Sequence, residues 1–286
     1  MEHAGKSRRG DRDMISSLPD CLIHLIMSFL TAQQAVRTCV LSKRWKHLWT
    51  TLPFLDFDVL KFECDGESEG GDPQSNKLEK FRDFVSMTLL LREASDVHTF
   101  RLFCFGISHL PNCHMLFGPK MFLKMPSLTS AYICMDNIWW DGSKSCFKGK
   151  SNILIGFSNV QSLKLSGSKL KDLLENELSN CPEFSNLKDL SVDDLCLSCH
   201  FNLLASFLNR CPYLEKLSLK DAVYCESQMH GNQELLKIAP FNAKRLTTVE
   251  FKFYKRKKSF PQVVKYLQDI TENSRAQISM TSKLLV

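Results

Sequence analysis

Cys196 to His200, CLSCH, spaces two thiols and an imidazole as C-x-x-C-H, the pattern that attaches a c-type haem. Haem attachment takes place in oxidising compartments, and the N-terminus shows no apolar core ahead of a small-residue cleavage site. The stretch also follows directly on one of the repeats described below, where loop residues are expected, so the match reads as chance. Cys113-His114, after Cys104, lacks a second ligand pair. No Gly-rich phosphate loop, G-x-S-x-G, H-E-x-x-H or Cys/His set with zinc spacing occurs. No catalytic residue, metal ligand or cofactor is assigned, and the chain reads as a non-enzyme. The twelve cysteines are scattered from Cys21 to Cys225 without paired spacing. They read as small buried hydrophobes in a reducing compartment, nucleus and/or cytoplasm.

Composition narrows the partners. Of 286 residues, 44% are hydrophobic and 24% charged, and the net charge of +6 from 37 basic and 31 acidic residues is too mild to imply nucleic acid. The basic KSRRGDR near the start and KRKK at 255–258, and the acidic ECDGESEGGD at 63–72, read as solvated tails and loops. No stretch reaches the ~18–20 apolar residues of a membrane helix. Neither nucleic acid nor membrane is an expected partner.

Three short helices follow from the spacing between 17 and 50. Ser17 reads as an N-cap with Pro19 in the first turn, and Leu18, Leu22, Leu25, Ile26, Phe29 and Leu30 form one stripe. Thr31 to Gln34 fits a capping box opening a second helix with Ala35, Val36, Cys39 and Val40. Ser42 caps a third, carrying Trp45, Leu48 and Trp49. The apolar residues outnumber what one small interior holds. Leu22, Ile23, Leu25, Ile26 and Met27 cover more than one helix face, so the surplus meets either the following domain or another chain.

LPDCLIHLIMSFLTAQQAVRTCVLSKRWKHLWTTLP resembles an F-box, specifically the plant form with AVRTCVLSKRWKHLW, over about forty residues. The resemblance implies docking on a Skp-type adaptor, which joins a cullin and a RING protein into a ubiquitin ligase. The family's docking positions map onto Leu18, Pro19, Leu22, Ile26, Leu30, Val36, Cys39, Leu41, Ser42 and Trp45. TAQQA departs from the more acidic or proline-bearing turn usual there, which bears on affinity.

Behind this unit an apolar-x-x-apolar-x-apolar pattern recurs six times: VHTFRL from Val97, LTSAYI from Leu128, VQSLKL from Val160, LKDLSV from Leu187, LEKLSL from Leu214 and LTTVEF from Leu246. The starts are 31, 32, 27, 27 and 32 residues apart, a repeat period. In each, two apolar residues point inward from a short strand and their neighbours point out. Return segments bring the chain back, with Leu170, Leu173, Leu174 and Leu178 on one helical face and Leu204, Phe207 and Leu208 on another. One repeat cannot bury its own face, so neighbours stack. The expected fold is α/β: a three-helix unit followed by a curved leucine-rich-repeat solenoid with a parallel inner sheet.

The expected organisation is a basic tail 1–13, the front unit 14–58, an acidic flexible loop 59–76, a helix 77–96 (KLEKFRDFVSMTLLLR) capping the open end, the solenoid 97–242, and a last repeat with a closing module 243–286. The arrangement resembles the plant F-box/leucine-rich-repeat proteins, and VVKYLQDITENS is similar to their FBD region. Strand residues facing out form a wall, and Arg101, Tyr132, Lys164, Asp189, Asp193, Lys216, Lys220 and Glu250 are its expected target-binding residues. The bland alternative is that these charges offset one another across the sheet. WWDG at 139–142 reads as loop anchors or interface residues. The resemblance implies a substrate-recruiting subunit of the ligase; the rival reading is an F-box scaffold acting outside it without promoting turnover.

Overall fold

A computed structural model describes residues 15, 17–64, 73–92, 96–105, 125–136, 153–221, 245–254, 265, 268 and 276–283. WWDG, KRKK, the basic N-terminal cluster, residues 65–72 of the acidic loop, Cys113-His114 and most of VVKYLQDITENS lie outside the described residues.

Eight strands form one curved, wholly parallel sheet in chain order: β1 Phe54–Asp58, β2 Thr99–Phe105, β3 Ser130–Asp136, β4 Ser162–Ser166, β5 Asp189–Leu195, β6 Lys216–Asp221, β7 Thr248–Tyr254 and β8 Gln277–Lys283. Each of the six predicted strands starts two residues after its repeat's leading apolar residue. The inward residues stack in unbroken rows. One runs Leu55, Phe100, Ala131, Leu163, Leu190, Leu217, Val249, and a second Phe57, Leu102, Ile133, Leu165, Val192, Leu219, Phe251, all buried.

Parallel neighbours require a crossover on one face. α4 Pro73–Leu91 connects β1 to β2, α5 Ile153–Gly156 leads into β4, α6 Leu170–Glu177 into β5, and α7 Leu197–Leu208 into β6. Leu170, Leu173, Leu174, Leu178, Leu204, Phe207 and Leu208 are all buried, as their spacing predicts. The helix expected at 77–96 as an end cap is instead a return segment. It starts earlier, at Pro73, and buries Leu78, Phe81, Val85 and Leu89 beneath β1 and β2. Phe62 meets Phe81 edge-on at 5.3 Å and Phe57 meets Phe84 at 6.1 Å. β1 makes the difference: its alternation FLDFD adds a strand to the sheet ahead of this helix, within the span 14–58 expected for the front unit.

That front unit comprises α1 Asp20–Met27, α2 Ala32–Arg37, a 3₁₀ turn Thr38–Val40, and α3 Trp45–Leu48. α1 begins after Pro19, not Ser17; Pro19 C=O accepts from Leu22 N–H and Ile23 N–H at 3.0 and 3.1 Å. Thr31 and Gln34 form the predicted capping box, with Thr31 N–H donating to Gln34 Oε1 at 3.0 Å. Ser42 Oγ accepts from Trp45 N–H at 3.4 Å, at the head of α3. The unit's own core is Ile23, Met27, Ala35, Trp45, Leu48 and Leu52.

Three sets of contacts join this unit to the solenoid. Ala32 is buried in the solenoid's core rather than in the helices' own. Gln33 exchanges two hydrogen bonds with the Glu63 backbone, at 2.7 and 2.9 Å, and Arg37 pairs with the Glu63 carboxylate. Arg92, after α4, donates to Leu52 C=O, and burial pulls its pKa down to about 10.

CLSCH sits at the head of α7, with Cys196 buried as its N-cap residue. Cys21, Cys39, Cys64, Cys104, Cys134, Cys181, Cys196 and Cys211 are free thiols, the last five of them buried. Burial pushes the Cys181 thiol up to about 12 and raises Cys104 and Cys211 further. No helix among the described residues is long and apolar enough to cross a membrane.

Glu177 is the one carboxylate among the described residues buried in the core, at 2% exposure. It accepts from Ile153 N–H at 3.1 Å and Leu154 N–H at 2.7 Å, satisfying the free donors at the start of α5 from a neighbouring helix. Glu177→Ala leaves those buried donors unpaired and is expected to lower stability by about 2–4 kcal/mol. Glu175→Ala, on the exposed face of α6, should stay within about 0.5 kcal/mol. Thermal or urea unfolding of the full chain measures both.

Two candidate docking surfaces

α1 puts only one stripe inside. Ile23 and Met27, four residues apart, fill the front unit's core, while Leu18 and Leu30 pack against it half-buried. The stripe Leu22, Leu25, Ile26 and Phe29 points away from that core and is left uncovered, with Leu25 56% and Phe29 83% exposed. Val40, the last residue of the 3₁₀ turn, and Leu41 after it are also exposed. Neither the helices nor the sheet hides this surplus, and large exposed apolar surface marks an interface.

The predicted docking residues divide into three sets. Pro19, Leu22, Ile26 and Leu41 are exposed, and Leu18, Leu30, Val36, Cys39 and Ser42 are half-buried. Trp45 departs from its assignment: at 3% exposure it is a core residue, offering no surface to a partner and holding α3 against α1 instead. Leu25, Phe29 and Val40 were outside the predicted set. A helix apolar on two faces gives no sequence signal for which face is turned in.

The second surface is the sheet's outward side. Parallel register aligns its middle row as Asp56, Arg101, Tyr132, Lys164, Ser191, Ser218, Glu250, Ser279. At the β2–β4 end, Phe103 and Tyr132 meet edge-on at 4.8 Å. The Arg101 guanidinium lies 5.3 Å from the Phe103 centroid and 5.9 Å from that of Tyr132, and Lys164 Nζ is 4.8 Å from the Tyr132 ring. These are cation–π distances.

From β4 onward charges interlock. Lys164 Nζ lies 3.1 Å from Asp193, and Lys216 Nζ 3.1 Å from Glu250, whose other oxygen accepts from Ser218 Oγ at 3.3 Å. Burial works against the Lys164 charge, but Asp193, Tyr132 and Asp194 together more than offset it, so its pKa is raised. The hydrogen bond from Lys216 holds Glu250 below the usual carboxylate range, and Glu250 raises Lys216 in return. Asp189 is raised by burial, against the pull of Lys216. Among the predicted wall residues, then, Lys164, Asp193, Lys216 and Glu250 offset one another, as the bland reading has it. Lys164, Asp193 and Glu250 still line, with Lys220 and Lys252, a shallow recess of about 190 Å³.

Two wall residues escaped the sequence. Asp194 has φ 66° at a register shift in β5, a bulge that turns its carboxylate toward Lys220 Nζ at 3.6 Å. Asp56 belongs to the strand that the repeat pattern missed, beside Arg101. No group of three or more His, Cys, Asp or Glu able to hold a metal occurs among the described residues.

A family model described as F-box domain matches residues 15–57. A putative F-box/LRR-repeat protein of Arabidopsis thaliana is 30% identical over 217 residues, 75% of this chain and 42% of that protein. An F-box/LRR-repeat protein of the same plant is 32% identical over 220 residues, 76% of this chain and 42% of the relative. An Arabidopsis F-box protein is 41% identical over 92 residues, 32% of this chain and 19% of the relative. The chain spans less than half the length of these curated relatives.

Asp56 carries a test of the wall's electrostatics. Its Oδ1 is buried without a hydrogen-bond partner, and burial raises its pKa above the usual 3.8 despite Arg101 and Lys61. A carboxyl whose pKa is higher folded than unfolded costs stability once both forms ionise, and the cost vanishes as pH falls below the unfolded value. Asp56→Asn is therefore expected to raise the melting temperature at pH 7 by a few degrees, with the gain fading toward pH 3.5. Melting curves across that range check it.

Proposed function

The chain belongs to the plant F-box/leucine-rich-repeat family, and on that premise we propose that it is the substrate-recruiting subunit of an SCF-type (Skp–cullin–F-box) ubiquitin ligase. The F-box docks on a Skp-type adaptor, and through it on a cullin and a RING protein. The solenoid's outward wall receives a target protein, in the nucleus and/or cytoplasm. One observation carries the reading: within the matched residues, Leu22, Leu25 and Ile26 of α1 and Phe29 just after it are exposed, uncovered by the other described residues. Such a face is costly in water unless a second polypeptide covers it.

The chain contributes no chemistry in this reading. Ubiquitin transfer belongs to the partners, and this subunit raises the effective concentration of a target lysine near the charged carrier enzyme. The aromatic–cation cluster Arg101, Phe103, Tyr132 and Lys164 supplies the residue types that dominate binding energy at interfaces. The interlocked charges beyond it supply selectivity, because a ligand must offer partners to groups already paired.

Leu22→Asp combined with Ile26→Asp places two charges in the uncovered face. It is expected to weaken co-purification with a Skp-type adaptor by about a hundredfold or more while leaving the melting temperature within a few degrees. Trp45→Ala, by contrast, should lower stability by about 3–5 kcal/mol, its adaptor loss following from unfolding. Reversing Asp189 and Asp193 to lysine should release the target and keep the adaptor. Adaptor binding that survives Leu22→Asp/Ile26→Asp refutes the assigned face.

A further inference from the structure

Each repeat buries its leading apolar residue at the same height, and the residues on either side of that lead stand outside, along the rim of the sheet. In three consecutive repeats the residue before the lead is Asn186, Tyr213 and Arg245, ahead of the buried Leu187, Leu214 and Leu246. Neighbouring strands lie about 4.8 Å apart, so these three side chains form a column. Arg245 Cζ stands over the Tyr213 ring, 4.6 Å from its centroid, a cation–π contact that turns the guanidinium face to the ring and leaves its N–H edge free. The residues after two leads, Gln161 and Lys188, stand beside the column. Main-chain bonds fix them: Lys188 N–H donates to Gln161 C=O, and Glu215 N–H to Lys188 C=O, both at 2.8 Å. With Ser185 these five residues line a recess of about 240 Å³.

The chemistry of that lining is one-sided. Every lining side chain carries a hydrogen-bond donor, two of them are cations, and none is a carboxylate. On the wall, by contrast, Lys164 and Lys216 have Asp193 and Glu250 beside them. Lys188 Nζ lies 3.1 Å from Glu215, which does not line the recess. Among the described residues Arg245 has no ion pair, and Gln161, Ser185 and Asn186 make no side-chain hydrogen bond.

We propose that this rim recess is a phosphate-monoester site, taking the phosphoryl group of a phosphorylated serine or threonine on another polypeptide. At neutral pH a phosphoryl group brings nearly two negative charges and three acceptor oxygens, which match the two cations and the neutral donors between them. The Arg245 fork is shaped for two of those oxygens, and Lys188 adds a point charge. A carboxylate, with one charge and two oxygens, leaves part of the donor set unmet. The recess is smaller than the ~300–1,000 Å³ of small-molecule sites, so it suits one head group projecting from a chain rather than a whole cofactor. Its residues belong neither to the outward wall nor to the F-box helices, so the site goes beyond the recruiting role and does not depend on it.

The test is fluorescence anisotropy of the full chain with a labelled degenerate peptide pool carrying one central phosphoserine, the unphosphorylated pool as control and inorganic phosphate as competitor. Saturable binding of the phosphopeptides is expected below ~1 mM, with the unphosphorylated pool at least about tenfold weaker and inorganic phosphate displacing the label. Arg245→Ala and Lys188→Ala should each weaken binding about tenfold, and Arg245→Lys, which keeps the charge and loses the fork, should recover only part. Tyr213→Phe keeps the ring under Arg245 and should stay within about twofold. Lys171→Ala, an exposed lysine on α6, should change nothing and so controls for general charge. The substituted side chains are exposed, and unchanged melting temperatures check that each variant folds. Equal binding of the two pools overturns the proposal. So does the absence of saturable binding, binding that survives both Arg245→Ala and Lys188→Ala, or an equal loss in Lys171→Ala. No adaptor enters the measurement, so the recruiting role and this site stand or fall separately.

Discussion

A parallel strand with two inward apolar residues has no way to bury them alone, and that constraint organises the whole chain. Each strand's pair, such as Leu163 and Leu165 on β4, is hidden by the pairs on either side and by the helix that returns beneath. Burial is therefore a property of the stack, not of any repeat. Because strand side chains alternate, the same stacking lines up every outward residue on one wall. The wall's rows of Arg101, Tyr132 and Lys164 are a by-product of hiding Leu102, Ile133 and Leu165. Residues far apart in sequence become neighbours without any contact dedicated to bringing them together.

Much of this was legible because the pattern carries its own register. The leading apolar residues Val97, Leu128, Val160, Leu187, Leu214 and Leu246 are all buried, just ahead of their strands. β1 obeys the same rule, since Leu52, Leu55 and Phe57 give the identical spacing. It was lost because Leu52 also serves the front unit's core and stands 45 residues before Val97, outside the period. β8 was lost for the opposite reason. Its interval fits, but Arg275 occupies the leading position, and alternation of Ile278 and Met280 with polar residues reads as an ordinary tail. One strand had the pattern without the period, and the other the period without the pattern.

The front unit shows where periodicity runs out of information. Helical spacing identifies apolar residues on a common face but not which way that face turns when two faces qualify. Ile23 and Met27 go inside because Trp45, Leu48 and Leu52 meet them there, a tertiary choice. Trp45 is instructive, since resemblance placed it on the docking surface while packing makes it the unit's own core. Its effect on a partner is then indirect, through the angle between α3 and α1. The charged wall has the same limit: alternating signs along the repeats were visible, but the bulge at Asp194 depends on a single positive φ that no period announces.

The two ends of the sheet are finished differently, and the contrast follows from what lies beside each. At β1 the front unit reaches into the solenoid core with Ala32 and ties itself to Glu63 through Gln33 and Arg37. The helices thereby hide the first strand's apolar surface, and their own surplus stripe is turned outward with a fixed orientation relative to the wall. A rigid joint suits the proposed recruiting role, in which transfer would depend on the distance between two bound proteins rather than on either affinity alone. At β8 no such helical unit stands among the described residues, and the rows of buried residues end on a half-covered Ile278 and an exposed Met280. Stacking covers each interior repeat from both sides, so cover varies with position: β1 borrows it from the helices, while among the described residues β8 pairs with β7 alone.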